Sequence, residues 1–248
     1  MVAALTAQRL GHTVTLYEKQ EQLGGQLIPA GTADFKWPVA RFRAYLVRQM
    51  EQSGVHIRLG CEMTAATLEH EKIDALILAM GAVPVIPSIP GAEHAKTAVS
   101  VYGQLEKLGQ KIVVVGGAET GLETSLFLAR SGRDVLLLTR QHQPAYNAHD
   151  VHYREILEEF WQKEPHLQIV CHAECVAIEA GQVVYRHGNV LHTVSCDDVV
   201  ISGGMQSCQD QLTAFAALSS SVAVIGDCRV PGDIRMAVRD GYTAACRI

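Results

Sequence analysis

The sequence lacks any apolar run approaching the roughly 18 residues that a membrane-spanning helix requires. Residues 1–11 also lack the basic start and apolar centre of a secretory signal. No CxxC pair occurs among the seven cysteines (Cys61, Cys171, Cys175, Cys196, Cys208, Cys228 and Cys246). Their odd number and scatter argue against a disulfide framework and a redox-active dithiol, and suit reduced thiols in a cytoplasmic setting. There is no excess of positive charge either. At a formal net charge of -5, nothing electrostatic favours nucleic acid or an anionic membrane surface as a partner. What remains is an ordinary globular composition, 48% apolar and 19% charged with 21 glycines, on a 248-residue chain that accommodates two α/β domains.

Short runs rich in Val, Ile and Leu recur at residues 13–17 (TVTLY), 57–59, 75–79 (ALILA), 111–115 (KIVVV), 135–138 (VLLL), 199–202 and 222–225. Such runs mark strands covered on both faces. Helical patterns lie between several of them, at 2–10, 38–52 with Pro38 opening the helix, 122–131, and 151–162 with Asp150 as its cap. Strands alternating with helices predict parallel sheets wound by right-handed crossovers.

An internal repeat carries more information. Without a gap, MVAALTAQRLGHTVTLYEK (1–19) lies on LETSLFLARSGRDVLLLTR (122–140), giving a helix, a glycine (Gly11 or Gly132), a strand and a polar residue at the strand's end. The second copy is preceded by KIVVVGGAETG (111–121), a strand running into a glycine-rich turn, and the first copy has nothing before Met1. On this reading the first sheet lacks its opening strand and Gly-rich loop.

The turn Gly116-Gly117-Ala118-Glu119-Thr120-Gly121 fits G-x-G/A-x-x-G between a strand and a helix. Gly116 permits a tight turn, Ala118 lets a diphosphate approach the backbone, and Gly121 lets helix and strand pack closely. The helix start then offers amides and a positive dipole end to an anion. A purely structural glycine turn is the alternative. In a dinucleotide site an acid at the end of the next strand accepts hydrogen bonds from the adenosine ribose. The first copy has Glu18 there, and the second has Thr139 followed by Arg140. That exchange removes a carboxylate and adds a cation that can pair with a 2′-phosphate, which tilts the second site toward NADPH. An exposed, unpaired Arg140 is the competing reading.

Three further segments resemble flavoprotein signatures. They are Leu23-Gly24-Gly25-Gln26-Leu27 after the Glu18 strand, Ala79-Met80-Gly81-Ala82 echoed by Ser202-Gly203-Gly204-Met205, and Val224-Ile225-Gly226-Asp227-Cys228. Together with VVVGGAETGLE at 113–123 they give the chain a resemblance, over essentially its whole length, to the C-terminal module of the Old Yellow Enzyme-like NADH:flavin oxidoreductases. That family includes 2,4-dienoyl-CoA reductase, trimethylamine dehydrogenase and the enoate reductases. The resemblance implies an α/β fold of two nested Rossmann-like (FAD/NAD(P)-binding) domains, with residues 1–95 plus 221–248 for FAD and 96–220 for NAD(P)H. By position, Glu18, Lys19, Gly24, Gly25, Gln26, Ala79, Gly81, Gly226 and Asp227 fall to the flavin. Gly116, Gly117, Ala118, Gly121, Glu123, Thr139, Arg140 and Gly204 fall to the nicotinamide dinucleotide. The resemblance implies no acid–base residue in the module, because hydride passes directly between cofactors. It further implies electron delivery to an ene-reductase barrel carrying FMN and a 4Fe-4S cluster, a domain or subunit without counterpart in this chain. A non-redox nucleotide-binding remnant or partner-binding fragment is the alternative function.

Other candidates carry less. Cys171-His172-Ala173-Glu174-Cys175 fits no common zinc spacing and reads as structural. His142, His149 and His152 read as polar surface, and Trp37 and Trp161 as core or rim. Arg41, Arg43 and Arg48 read as a solvated helix face, with docking against a barrel as the lesser reading.

Overall fold

The computed structural model describes all residues except 69–71, 149, 208 and 216–217, with the side chains of 209–211 also outside the description. The chain forms two compact units, Met1–Val83 with Met205–Ile248, and Pro84–Gly204. These divisions fall earlier along the chain than the 95/96 and 220/221 boundaries expected from sequence. They coincide with strands β4 (Ala82–Pro84) and β13 (Met205–Ser207), which pair where the chain passes between units.

The first unit opens with α1 (Val2–Arg9), β1 (Thr15–Tyr17), α2 (Leu27–Ala30), α3 (Trp37–Glu51), β2 (His56–Arg58), α4 (Ala65–Leu68) and β3 (Leu76–Leu78). It closes with α7 (Gln209–Phe215), β14 (Val222–Val224) and α8 (Ile234–Ala245). Its strands lie in two separate parallel pairs, β1 with β2 and β3 with β14. Ala4 and Leu5 of α1 pack with Leu46 and Met50 of α3, Leu23 and Val55. Ala3 meets Ala244 of α8 and Ile225. A Cβ on Gly241 would come within 3.3 Å of the Ala3 nitrogen, so the missing side chain lets α8 lie close on α1.

The second unit contains β5 (Lys96–Thr97), β6 (Lys111–Val115), α5 (Glu119–Arg130), β7 (Asp134–Leu138), α6 (Val151–Gln162), β8 (Leu167–Val170), β9 (Ala173–Glu179), β10 (Gln182–His187), β11 (Val190–Ser195) and β12 (Asp198–Ile201). A five-stranded parallel sheet runs in the order β5-β12-β6-β7-β8. In register, Ile201, Val115, Leu138 and Val170 form its carboxyl edge. Both faces of β6 are covered, which is why KIVVV carries no polar alternation. Asp150 caps α6 as expected, accepting from the amides of His152 at 3.0 Å and Tyr153 at 3.3 Å.

The parallel expectation needs one correction. β9, β10 and β11 form an antiparallel meander, which no sequence run announced. One face of the meander supplies Cys175, Ile178 and Val183 to a core shared with Val113, Val199 and Ile201. β11 is mostly exposed, with no apolar run of the buried-strand kind. Cys175 therefore sits on a strand.

Leu126 of α5 is fully buried. Leu126→Ala should cost about 2–5 kcal/mol, as buried leucine truncations do. At roughly 2–4 °C per kcal/mol for a chain of this size, thermal melting followed by far-UV circular dichroism should fall by about 10 °C. An unchanged melting temperature would contradict the packing described.

Candidate functional site

At the carboxyl edge of the second unit's sheet, β6 ends and the chain turns sharply at Gly116, with φ of +109°. Its amide donates to the Leu138 carbonyl at 2.9 Å, so the turn still belongs to the sheet. A Cβ at Gly116 would lie 2.3 Å from the Ser202 carbonyl oxygen, one at Gly117 2.5 Å from the Thr139 Cβ, and one at Gly121 1.8 Å from the Gly116 carbonyl oxygen. All three positions therefore exclude side chains, each for a different neighbour. The turn lies between β12 and β7, where strand order reverses about β6, the place where open α/β sheets hold their ligands.

Ala118 stands before the helix in extended backbone (φ −66°, ψ 177°) and brings no capping side chain. Asn147, absent from the sequence-based set, supplies that contact, because its Oδ1 accepts from the Glu119 amide at 2.8 Å. Ala145, in the left-handed region at φ 49°, donates its amide to the Gly117 carbonyl at 2.8 Å. The segment after β7 thus folds back onto the glycine turn. The one sequence signal for Asn147 is the repeat, whose register lays it on Gln26.

Thr139 is 2% exposed, its side chain against Gly117 and its Oγ1 accepting from the Gln141 amide at 3.2 Å. Arg140, next along, is exposed. Glu123 is buried and accepts a hydrogen bond from the Tyr153 hydroxyl at 2.5 Å, and burial, together with that carboxylate, pushes the Tyr153 pKa upward. Burial also pushes the Tyr102 hydroxyl up to about 12, where it meets Thr124 Oγ1 at 3.1 Å. Gly204 takes φ of +92° just past β12, after Gly203, whose Cβ would press on the Val85 carbonyl.

In the first unit, β1 ends at Glu18, half-buried, with Oε1 accepting from the Gln20 amide at 2.9 Å. Lys19 is exposed. Gly24 and Gly25 both have positive φ, +130° and +49°, and Gln26 precedes α2. Arg43 departs from the solvated face expected for it. It reaches from α3 to donate Nε to the Leu23 carbonyl at 2.8 Å and one Nη to Gln22 Oε1 at 3.1 Å. Spacing along the helix missed this because Arg43 is only half-buried and its reach depends on where residues 22–24 fold. Arg41 stays on the outer face over Trp37, whose ring is exposed.

Ala79 and Gly81 follow β3, Gly81 at φ of +78°. The other pair's end, after β14, holds Gly226 (φ +58°) and Asp227, whose Oδ1 accepts from the Gly232 amide at 3.0 Å. Asp240 of α8 fastens this turn, accepting from Arg229 at 2.8 Å and the Gly226 amide at 3.4 Å.

Among the described residues, no group of His, Cys, Asp and Glu could hold a metal ion. Burial pushes the Cys175 thiol up to about 11, so it is a protonated core thiol. His149 lies outside the described residues, as does Cys208, and the other six cysteines form no disulfide with one another. No helix of the described residues is long and apolar enough to cross a membrane.

A parallel sheet with a side-chain-free turn at its switch point, in a chain whose other unit is built on the same repeat, defines an α/β protein of the nucleotide-binding class. The family model for pyridine nucleotide-disulphide oxidoreductase matches residues 1–241, and the chain belongs to that family. It is 32% identical over 248 residues to a bilirubin reductase of Mediterraneibacter gnavus, covering 99% of this chain and 38% of that protein. It is 30% identical to an NADH oxidase of Thermoanaerobacter brockii, covering 100% of this chain and 39% of that protein. A 2-naphthoyl-CoA reductase shares the fold at a TM-score of 0.93 and 24% identity, over 100% of this chain and 38% of that one. The chain thus spans about two fifths of the length of these relatives.

Two substitutions test the geometry. Gly121→Ala, with its Cβ 1.8 Å from the Gly116 carbonyl oxygen, should destabilise by about 3 kcal/mol or more in urea denaturation, because the clashing group is backbone and cannot swing aside. Asp240→Asn should cost about 1 kcal/mol at neutral pH, Arg229 being half-exposed. Arg229 holds the Asp240 carboxyl below its ordinary value of 3.8. Its contribution is therefore present above that value and lost as the pH falls through the lowered folded-state value, so the two stability curves should converge on acidification. A gap that persists at the acid end would exclude the ion pair as its source.

Proposed function

We propose that this chain is the dinucleotide-binding, electron-input part of a flavin-dependent oxidoreductase, using NAD(P)H and FAD. The observation that carries the reading is the Gly116–Gly121 turn, where three side-chain-free positions hold backbone against the carboxyl edge of a parallel sheet. A diphosphate needs such a bare approach, and the residues fit one. The second unit is assigned the nicotinamide dinucleotide, held by Gly116, Gly117, Ala118 and Gly121, with Glu123 two residues further along α5 and Gly204 just past β12, the strand paired with β6. Arg140, exposed at the end of β7, is assigned the 2′-phosphate of NADPH, and the buried Thr139 fixes the turn from beneath. The first unit is assigned the flavin, with Glu18, Lys19, Gly24, Gly25, Gln26, Ala79, Gly81, Gly226 and Asp227 as its residues.

When bound, the two cofactors supply hydride transfer from nicotinamide to flavin, and the protein supplies position and exclusion of water. The onward acceptor is an ene-reductase barrel with FMN and a 4Fe-4S cluster, as domain or subunit. Membership of the pyridine nucleotide-disulphide oxidoreductase family and similarity to an NADH oxidase support the redox part of this reading.

The chain incubated with FAD and desalted should be yellow and should bleach anaerobically on addition of NADPH. A colourless product that still binds ADP-ribose would favour a non-redox nucleotide-binding role instead. Arg140→Ala should raise the dissociation constant for NADPH about tenfold, roughly one charge-assisted contact, and leave that for NADH within about twofold. Equal losses for both would remove Arg140 from the 2′-phosphate.

A further inference from the structure

We infer that Arg43 positions the Leu23–Gly25 turn and supplies the cation for the diphosphate of the flavin dinucleotide, an inference that rests on the flavin assignment of the first unit. The turn follows β1 and Glu18 at the carboxyl end of a parallel pair, the end at which dinucleotides lie. Two adjacent residues in the left-handed region make it a segment with little conformational preference of its own. Arg43 supplies the constraint. Its Nε and one Nη donate to the Leu23 carbonyl and the Gln22 side chain, and a Cβ on Gly24 would lie 2.5 Å from Nε and 2.8 Å from Cδ. Gly24 is therefore bare because the arginine stem occupies the space beside it.

A guanidinium carries five N–H donors, and the two contacts leave its other Nη nitrogen without a partner among the described residues. No carboxylate of the described residues pairs with Arg43, so its charge is available to an anion. A planar cation fixed in place suits a phosphate oxygen better than a freely moving one, since its ordering precedes binding. A neutral brace would have sufficed to hold Leu23. The positive charge is the feature that a merely structural role leaves unused.

The full chain is titrated with FAD, following quenching of flavin fluorescence, for the unsubstituted protein and for Arg43→Ala, Arg43→Gln and Arg43→Lys at low and high salt. Melting temperatures are recorded alongside. Arg43→Ala and Arg43→Gln should weaken FAD binding about tenfold or more, and Arg43→Lys should recover to within about threefold. Affinity should fall with salt in the unsubstituted chain and change less in the uncharged variants. If Arg43→Ala does not fold, the comparison of Gln with Lys decides. Affinity unchanged in Arg43→Gln, or lost equally in Arg43→Lys and Arg43→Gln with no difference in salt response, overturns the charge role alone. Absence of flavin binding by the unsubstituted chain overturns the flavin assignment and the role of Arg43 with it.

Discussion

The second unit depends on how closely helix α5 approaches the turn that feeds it. The Gly121 Cα faces the Gly116 carbonyl oxygen at a separation no Cβ could share. With that gap closed, the first turn of α5 sits at the carboxyl edge of the sheet, and its amides point where β12, β6 and β7 all end. Any side chain at Gly121 would displace the helix outward and move those amides from the edge. The left-handed backbone at Gly116 and the bare face of Gly117 against Thr139 are further demands of the same approach.

The two units solve the following segment by a common device with different residues. In the ungapped register that lays Met1 on Leu122, Glu18 falls on Thr139, Gln20 on Gln141, Gly24 on Ala145 and Gln26 on Asn147. In both copies the residue ending the strand accepts the amide two residues on, at 2.9 Å in the first and 3.2 Å in the second. In both, the position six residues after the strand's end residue has positive φ. The supports differ. Arg43 from α3 holds the first turn, and in the second the Gly117 carbonyl and the Glu119 amide engage Ala145 and Asn147.

The strands and helices that carry the glycine turns were legible because both faces of a parallel strand are apolar and a capped helix announces its start. KIVVV and Asp150 illustrate the two cases. The antiparallel meander was not, since β11 has little buried surface and so leaves no apolar signature. Arg43 and Asn147 were misread or missed for a related reason. Each acts on a backbone group about 20 or more residues away, and such a contact leaves no local pattern. What did extend further than expected was the internal repeat, which continues beyond Arg140 through the glycine segment.

That register also explains why the acid of the first copy has no equivalent in the second. Glu18 is half-buried and keeps one oxygen clear of the Gln20 contact, so its charge stays solvated. Thr139 is 2% exposed and presses against Gly117, and a carboxylate there would lose its water without gaining a cation inside the turn. Burying such a charge costs several kcal/mol, more than a local amide contact returns. A hydroxyl keeps the contact with Gln141 at far lower cost. The first charged side chain after β7 is therefore the next residue, the exposed Arg140. The close packing of the turn and the lack of an acid within it are consequences of one constraint.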